Sequence, residues 1–147
     1  FILVSFRHGV KWGLFTGFVN SLLQMLLGFY APPAPGLLPL VGMILLDYVL
    51  AFGVMGIAAW AGQAPRHLLG QRAGRSARFV VHYISGITIY KILAPTEIFG
   101  TVFDNPALYS LIYNGSYVGI DLVLCLVIFG ILYAPLKKYM MGADLRR

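Results

Sequence analysis

Long apolar runs, separated by short polar or proline-rich segments, make up most of this chain. They predict four complete helices that cross a bilayer: Val10 to Tyr30, Leu38 to Gly62, Ala77 to Leu93 and Ala107 to Leu136. A helix that crosses the hydrocarbon needs about 20 residues, and more when it is tilted. The runs lack the period-two alternation of a membrane β-strand. We therefore predict an all-α, polytopic membrane bundle that forms a single domain over residues 1–147.

Residues 1–7 predict the tail of a further helix. This apolar opening has no initiator Met, no basic segment and no small-residue cleavage site, so it does not resemble a signal peptide. We expect that the helix begins before Phe1, and that part of one span is missing from the sequence.

Helix-breaking and polar residues mark the connections between the spans. The segment Ala31–Gly36 contains three prolines and ends the first complete span. Pro95 and Pro106 bound a loop that contains Glu97 but no lysine or arginine. The segment Ala64–Ser76 is polar and basic, and we expect a loop there.

Positive charge is concentrated in three clusters, which predict the orientation of the chain. Basic residues stay on the cytoplasmic side because moving them across the bilayer is costly. Alternation of the spans then places all three clusters and the C-terminus in the cytoplasm. The clusters are Arg7 and Lys11; Arg66, Arg72, Arg75 and Arg78; and Lys137, Lys138, Arg146 and Arg147.

Composition supports a membrane protein and argues against nucleic-acid binding. The chain is 59% hydrophobic and 11% charged, whereas a soluble domain carries about 25% charge. Its net charge of +6 comes from short segments beside the spans, where basic residues orient the protein and contact anionic lipid. The sequence also has no HExxH motif, and we expect neither a metal site nor a cofactor.

Small residues recur every four positions along two spans. They are Gly9, Gly13, Gly17 and Ser21 in the first, and Gly115 and Gly119 in the last. Small residues at this spacing let helix backbones approach closely in lipid. We expect packing within the bundle, with docking of another subunit as the alternative.

Two polar residues within the apolar runs are candidates for function. An acid at the centre of a membrane helix costs about 2.5–3.5 kcal/mol on insertion scales. Asp47 has no obvious basic partner within the spans, so we interpret it as a counter-charge for a cationic ligand; a structural, hydrogen-bonded acid is the alternative. His82 shares a helix face with Gly86 and Tyr90, and Gly86 would leave room for a flat ligand. Counted from the loops, His82 should lie nearer the cytoplasm than Asp47.

The start of the last span carries further polar and aromatic residues. Asn114, Tyr117 and Asp121 form one stripe, and Tyr109 and Tyr113 form another. We interpret Asp121 as a structural acid paired with a polar neighbour. Together with the acid and the imidazole, the amide and the tyrosines predict an outward-facing pocket for a small, flat, positively charged heteroaromatic ligand.

Four segments of the sequence resemble the thiamine-binding S component of energy-coupling factor (ECF) transporters, the ThiT family. These segments are Phe6–Leu14, Leu45–Gly53, Arg78–Gly86 and Tyr109–Tyr117. The resemblance implies a six-helix membrane bundle with cytoplasmic termini, of which this chain would supply the last five helices. It also implies a thiamine site near the outer face, no ATPase of its own, and partners consisting of a transmembrane coupling subunit and two ATPase subunits.

The family's site residues carry over to six positions: Asp47, Tyr48, His82, Tyr90, Tyr109 and Asn114. Two of them depart from the usual pattern. Tyr90 stands where the family usually has Trp, which leaves a smaller stacking surface. Asp47 is one methylene shorter than the Glu that the family also uses at its position.

We therefore predict a thiamine-capture subunit in the cell membrane, and not an enzyme. The alternatives are an S component for another vitamin or a pyrimidine precursor, an intramembrane enzyme that uses Asp47 and His82, and a structural membrane subunit. The enzyme alternative requires those two side chains to lie within hydrogen-bond reach, which their expected depths disfavour.

Overall fold

The computed structural model describes residues 1–32, 35–57, 60, 67–90, 96–140 and 142–145, and this part of the chain is mostly helical. It contains five helices: Ile2–His8 (α1), Val10–Gly28 (α2), Leu37–Ile57 (α3), His67–Thr88 (α4) and Pro106–Met140 (α5). Two antiparallel strands, Thr96–Ile98 (β1) and Thr101–Phe103 (β2), lie between α4 and α5.

Among the described residues, α3 and α5 are long and apolar enough to cross a membrane. The apolar side chains of α5 are largely exposed, as expected of a helix that faces lipid, whereas α3 also buries Met43, Phe52 and Met55. The helices α2 and α4 are of similar length to a membrane span but less apolar. The first carries Lys11, Asn20 and Gln24, and the second carries several arginines.

The helix α3 changes its winding at the position of the candidate acid. It begins as an α-helix over Leu37–Met43, widens to a π-helix over Ile44–Leu50 and ends as a 3₁₀ turn over Val54–Ile57. Asp47 and Tyr48 both lie in the widened segment. Such segments occur often at functional sites because they alter the direction of the side chains they carry.

The helix α4 corrects the prediction of a polar loop over Ala64–Ser76. It begins at His67, and Arg75 within it is only 5% exposed. A buried arginine is tolerated where an acid pairs with it, and Arg75 pairs with Asp121 of α5. The basic residues of this segment therefore belong partly to the packed bundle. Arg66 lies outside the described residues.

Close approach of small residues packs α2 against its neighbours, as one of the two small-residue patterns predicted. An added Cβ at Gly13 would lie 2.6 Å from Cβ of Ser5, and one at Gly17 would lie 2.6 Å from the Phe52 carbonyl oxygen. Gly9, at φ 90°, forms the corner between α1 and α2. The second pattern does not pack in this way, because nothing lies within 4 Å of a Cβ placed at Gly119.

The hairpin between α4 and α5 was not predicted. Its two-residue turn, Phe99–Gly100, has positive φ at both positions, which matches the twist of the flanking strands. Tyr109 at the start of α5 meets Phe103 of β2 edge to face, with ring centroids 6.5 Å apart. The hairpin therefore covers the first turn of α5. Pro95, which the sequence placed at one boundary of this loop, lies outside the described residues.

Candidate functional site

A cavity of about 320 Å³ lies between α3, α4 and α5. It contains an acid, an imidazole and an amide within an otherwise aromatic wall. Five of the six predicted site residues line it; Tyr48 does not. The lining residues are Tyr30, Asp47, His82, Gly86, Tyr90, Tyr109, Ser110, Tyr113, Asn114 and Tyr117.

The Asp47 carboxylate is held by two neighbours on α4. Its Oδ1 lies 2.9 Å from Nδ1 of His82, and its Oδ2 accepts a hydrogen bond of 2.6 Å from the Ser85 hydroxyl. The expectation that His82 lies at a different depth was therefore wrong. Depth counted from loop boundaries assumed that α4 starts near Ala77, whereas the helix starts at His67.

Arg78, one turn before His82, determines the tautomer of the imidazole. Nε of Arg78 donates to Nε2 of His82 over 3.3 Å. Since Nε2 accepts, Nδ1 carries the proton and donates it to Asp47. The partner of Asp47 is thus a neutral imidazole.

No lysine or arginine of the described residues forms an ion pair with Asp47. Both of its neighbours, the neutral His82 and Ser85, donate hydrogen bonds without cancelling its charge. A carboxylate offers about four acceptor positions, so two donors leave it able to accept more. The side chain is 17% exposed, and that exposed part opens on the cavity.

Tyrosine rings form much of the cavity wall. On α5, the rings of Tyr109 and Tyr113 stack with centroids 5.6 Å apart and an angle of 9° between them. Tyr117 continues the series, meeting Tyr113 edge to face at 5.7 Å. Tyr30, just beyond α2, stacks on Tyr90 at 6.5 Å. Aromatic faces attract cations through the negative potential above the ring.

Asn114 lies in the wall with its amide already hydrogen-bonded. Nδ2 donates to the carbonyl and hydroxyl oxygens of Ser110, each over 3.0 Å, and Oδ1 accepts from the Tyr117 hydroxyl over 2.9 Å. The residue is 7% exposed. Its geometry fits a group that fixes the positions of Ser110 and Tyr117.

Tyr48 corrects one site prediction, because its side chain lies outside the cavity lining. Its ring stacks on Phe29 at 6.1 Å, and its hydroxyl accepts a hydrogen bond of 3.1 Å from the backbone N–H of Tyr30. Tyr48 directly follows Asp47, and adjacent residues of a helix do not share a face. Through its contacts with Phe29 and Tyr30, Tyr48 holds the segment that carries Tyr30, which does line the cavity.

Gly86 was interpreted as leaving room for a flat ligand, but the space beside it is occupied by Ser110 of α5. An added Cβ there would lie 2.7 Å from Cβ of Ser110, so the missing side chain lets α4 and α5 approach. The hydroxyl of Ser110 donates to the Tyr83 carbonyl over 3.2 Å across this contact. Gly86 still forms part of the cavity wall through its backbone.

Asp121 has a structural environment, as predicted. Its Oδ2 accepts from Nε of Arg75 over 3.1 Å and lies 3.9 Å from Nη1 of Arg78. Arg75 also donates to Oε1 of Gln71 over 3.1 Å. A continuous polar network therefore runs from the cavity acid through His82 and Arg78 to this second acid.

Sequence reasoning overlooked several residues that act at or near the cavity. Ser85 stands three positions after His82, on the same helix face, and this spacing was a usable signal. Tyr30 was expected to be the last residue of its span, so it resembled an ordinary interfacial tyrosine. Arg78 was assigned to a charge cluster, although it stands four positions before His82 on the same helix face, a spacing that was also a usable signal.

The described residues contain no group of three or more His, Cys, Asp or Glu side chains that is placed to hold a metal ion. The chemistry available in the cavity is recognition: one negative charge, aromatic faces and tyrosine hydroxyls.

Comparison with known proteins gives two matches. A family model described as "Thiamine transporter protein (Thia_YuaJ)" matches residues 1–141. The "Thiamine transporter ThiT" of Bacillus subtilis (strain 168) is 29% identical over 145 residues, and the match covers 89% of this chain and 69% of that protein. No solved structure matches the chain.

Proposed function

The chain belongs to the ThiT/YuaJ family of thiamine transporter proteins, and from this premise we propose that the cavity beside Asp47 is its thiamine site. Membership identifies a membrane transport protein and not an enzyme. Asp47 and His82 do lie within hydrogen-bond reach, as an intramembrane enzyme would require, but membership of a transporter family favours a role in binding.

One observation carries the proposal: the Asp47 carboxylate opens on an aromatic cavity, and no lysine or arginine of the described part of the chain pairs with it. Placing a positive ring about 4 Å from the carboxylate gains about 4 kcal/mol at the effective dielectric constant near a protein surface. Each aromatic face adds about 0.5–2 kcal/mol of cation–π attraction. Thiamine has a cationic thiazolium ring and a flat aminopyrimidine, so it fits both features.

The predicted residues take two kinds of role in this proposal. Asp47 provides the counter-charge, while Tyr90 and Tyr109 provide faces and hydroxyls that contact the ligand. His82 orients the carboxylate. Asn114 and Tyr48 hold neighbouring parts of the wall, since their polar atoms already bind protein groups.

Titration of the purified protein in detergent tests this function. Calorimetry with thiamine should give a saturable 1:1 binding heat, and mass spectrometry of the denatured protein should detect copurified thiamine. A panel of other vitamins and of thiamine's free pyrimidine half provides the control. Stronger binding of another member of the panel would replace thiamine as the ligand and leave the S-component assignment in place.

The finer architecture and the partners belong to the same proposal. The helices α1 to α5 correspond to the last five of a six-helix S component, forming a single membrane domain. The sequence has no GxxxxGK[ST] motif, so ATP hydrolysis would come from two ATPase subunits joined through a transmembrane coupling subunit. Uptake of labelled thiamine into proteoliposomes should require these subunits and ATP.

The proposed orientation places the C-terminus in the cytoplasm. Lys137 and Lys138 at the end of α5 support it, because basic residues near span ends stay inside. A single cysteine introduced after α5, in a Cys125→Ser background, should resist membrane-impermeant thiol reagents in intact cells. Labelling from outside would reverse the orientation.

A further inference from the structure

We propose that Arg78 is a positioning residue of the thiamine site, which leaves the charge of the Asp47 carboxylate uncompensated by holding His82 in its neutral, Nδ1-protonated form. The inference rests on the proposed function. Arg78 does not line the cavity, so it acts through His82.

The contacts of Arg78 fix its direction as well as its distance. Its guanidinium lies 4.7 Å from the centre of the Phe52 ring and 3.9 Å from Asp121. These contacts leave its side chain 17% exposed. Held in this way, its Nε–H points at Nε2 of His82 over 3.3 Å.

A fixed cation at this position opposes protonation of the imidazole. Nε2 is the only nitrogen of a neutral Nδ1–H imidazole that can take a further proton. Arg78 occupies that lone pair with a donor and adds a positive charge beside it, and both effects disfavour an imidazolium. Asp121 and Phe52 stabilise the guanidinium, so it stays where it is.

Loss of Arg78 would free Nε2 for a proton from water in mildly acidic solution, since His titrates in that range. The resulting imidazolium would form an ion pair with Asp47 and neutralise the charge that thiamine needs. Binding of the cationic vitamin and binding of the proton would then exclude each other. A dependence of affinity on pH would appear that the native protein lacks.

The other charged groups near His82 do not replace Arg78 in this role. From α3 the imidazole faces Asp47, and from α5 it faces the Tyr117 ring, 5.8 Å between centroids. Asp121 of α5 acts on it only through Arg78. From α1, Arg7 is paired with Asp144. Arg78 is thus the described cation that contacts the imidazole.

Thiamine titrations between about pH 5.5 and about pH 8 test the inference. The variant is Arg78→Met, which keeps an aliphatic stem against Phe52. The Kd ratio of variant to native protein should rise about tenfold from the high to the low end of this range, because one proton competes with the ligand. Titration of the ligand itself is common to both proteins and cancels in the ratio.

Three further variants make the result specific. Arg78→Lys keeps a cationic donor and should restore a flat ratio. Adding His82→Gln to Arg78→Met removes the titrating group. Affinity for thiamine should then be weak at all pH values, and the Kd ratio of variant to native protein should no longer depend on pH. Arg72→Met, at an exposed arginine of the same helix, should behave as the native protein.

Arg78→Gln provides a second test if the Met variant does not fold, because its neutral amide can turn to accept a hydrogen bond from an imidazolium. The Kd ratio of Arg78→Gln to native protein should rise toward low pH as it does for Arg78→Met. A flat ratio in Arg78→Met or Arg78→Gln, with thiamine bound normally by the native protein, would overturn the inference. Failure of the native protein to bind thiamine would instead overturn the proposed function.

Discussion

Asp47 and Asp121 are acids of the same kind on two apolar helices, and their surroundings differ in charge. Asp121 lies against two guanidinium groups, those of Arg75 and Arg78. Asp47 lies against a neutral imidazole and a hydroxyl. Beside Asp47 a cavity with tyrosine walls opens, whereas Asp121 faces the contact between α4 and α5.

This difference separates a structural acid from a binding acid. Where protein cations already neutralise a carboxylate, its removal leaves an unpaired cation within the bundle. Where neutral donors hold a carboxylate beside an empty space, its charge is available to a ligand from outside. The residue type and the apolar setting are the same, so the partners decide the role.

Asp47→Asn should have the largest effect on binding and so tests the comparison most severely. Asparagine keeps the size of the side chain and a hydrogen-bonding oxygen but loses the charge. Removing one partner of a desolvated charge pair costs about 2–5 kcal/mol, which predicts at least about thirty-fold weaker thiamine binding by calorimetry. The melting temperature without ligand should change little. Unchanged affinity would make Asp47 a second structural acid.

Asp121→Asn should show the opposite pattern. It leaves the guanidinium of Arg75, 5% exposed, without its acid. Breaking a fully buried ion pair costs about 3–5 kcal/mol, and the 38% exposure of Asp121 reduces our expectation to about 2–3 kcal/mol. Thermal unfolding of the detergent-solubilised protein should detect this loss. A larger effect on thiamine affinity than on stability would show that Asp121 is also a binding acid, contrary to the comparison.

The sequence predicted the acid, the imidazole, the amide and four of the five tyrosines that line the cavity, because polar groups in apolar runs stand out. It did not predict their contacts. The link between Asp47 and His82 depends on where α4 begins, and the basic segment before Ala77 resembled a loop. Its arginines become compatible with a packed helix only once Asp121 is placed opposite them.

Gly86→Ala tests whether close helix contact shapes the cavity end. The new Cβ would lie 2.7 Å from Cβ of Ser110 and would push α4 and α5 apart. Overpacking of this kind costs about 1–2 kcal/mol and should lower both the melting temperature and the affinity for thiamine. Gly119→Ala is the matched control on α5, since nothing lies within 4 Å of its Cβ. Equal effects of the two variants would show that the contact at Gly86 has no special role.

Asp144, which pairs with Arg7, is a third acid away from the other two. Its substitution should have the smallest effect on stability and on thiamine binding. Arg7 donates to Oδ2 of Asp144 over 2.9 Å, and this hydrogen bond lowers the pKa of Asp144 below its ordinary value of 3.8. A lowered pKa in the folded state gives a stabilisation that is present above the ordinary pKa and is lost as pH falls through the folded value.

Asp144→Asn should therefore remove a small part of the acid-induced fall in melting temperature, with thiamine affinity unchanged at neutral pH. Altered binding at neutral pH would connect the end of the chain to the cavity, contrary to the separation of the three acids.

Tyr48 and Tyr30 show what sequence patterns do not resolve. The resemblance assigned Tyr48 to the site together with Asp47. Adjacent residues of a helix do not share a face, and Tyr48 packs against Phe29 outside the cavity lining. Tyr30 reaches the cavity from the end of α2, where an interfacial tyrosine is common and therefore carries no distinctive signal.

The central claim is that the charge of Asp47 selects a cation. Its most direct test is a pair of titrations, with thiamine and with a neutral analogue whose thiazolium is replaced by an uncharged ring, on the native protein and on Asp47→Asn. We predict that the native protein prefers thiamine and that the variant loses this preference because its affinity for thiamine alone falls. A preference of equal size in both proteins would contradict the claim.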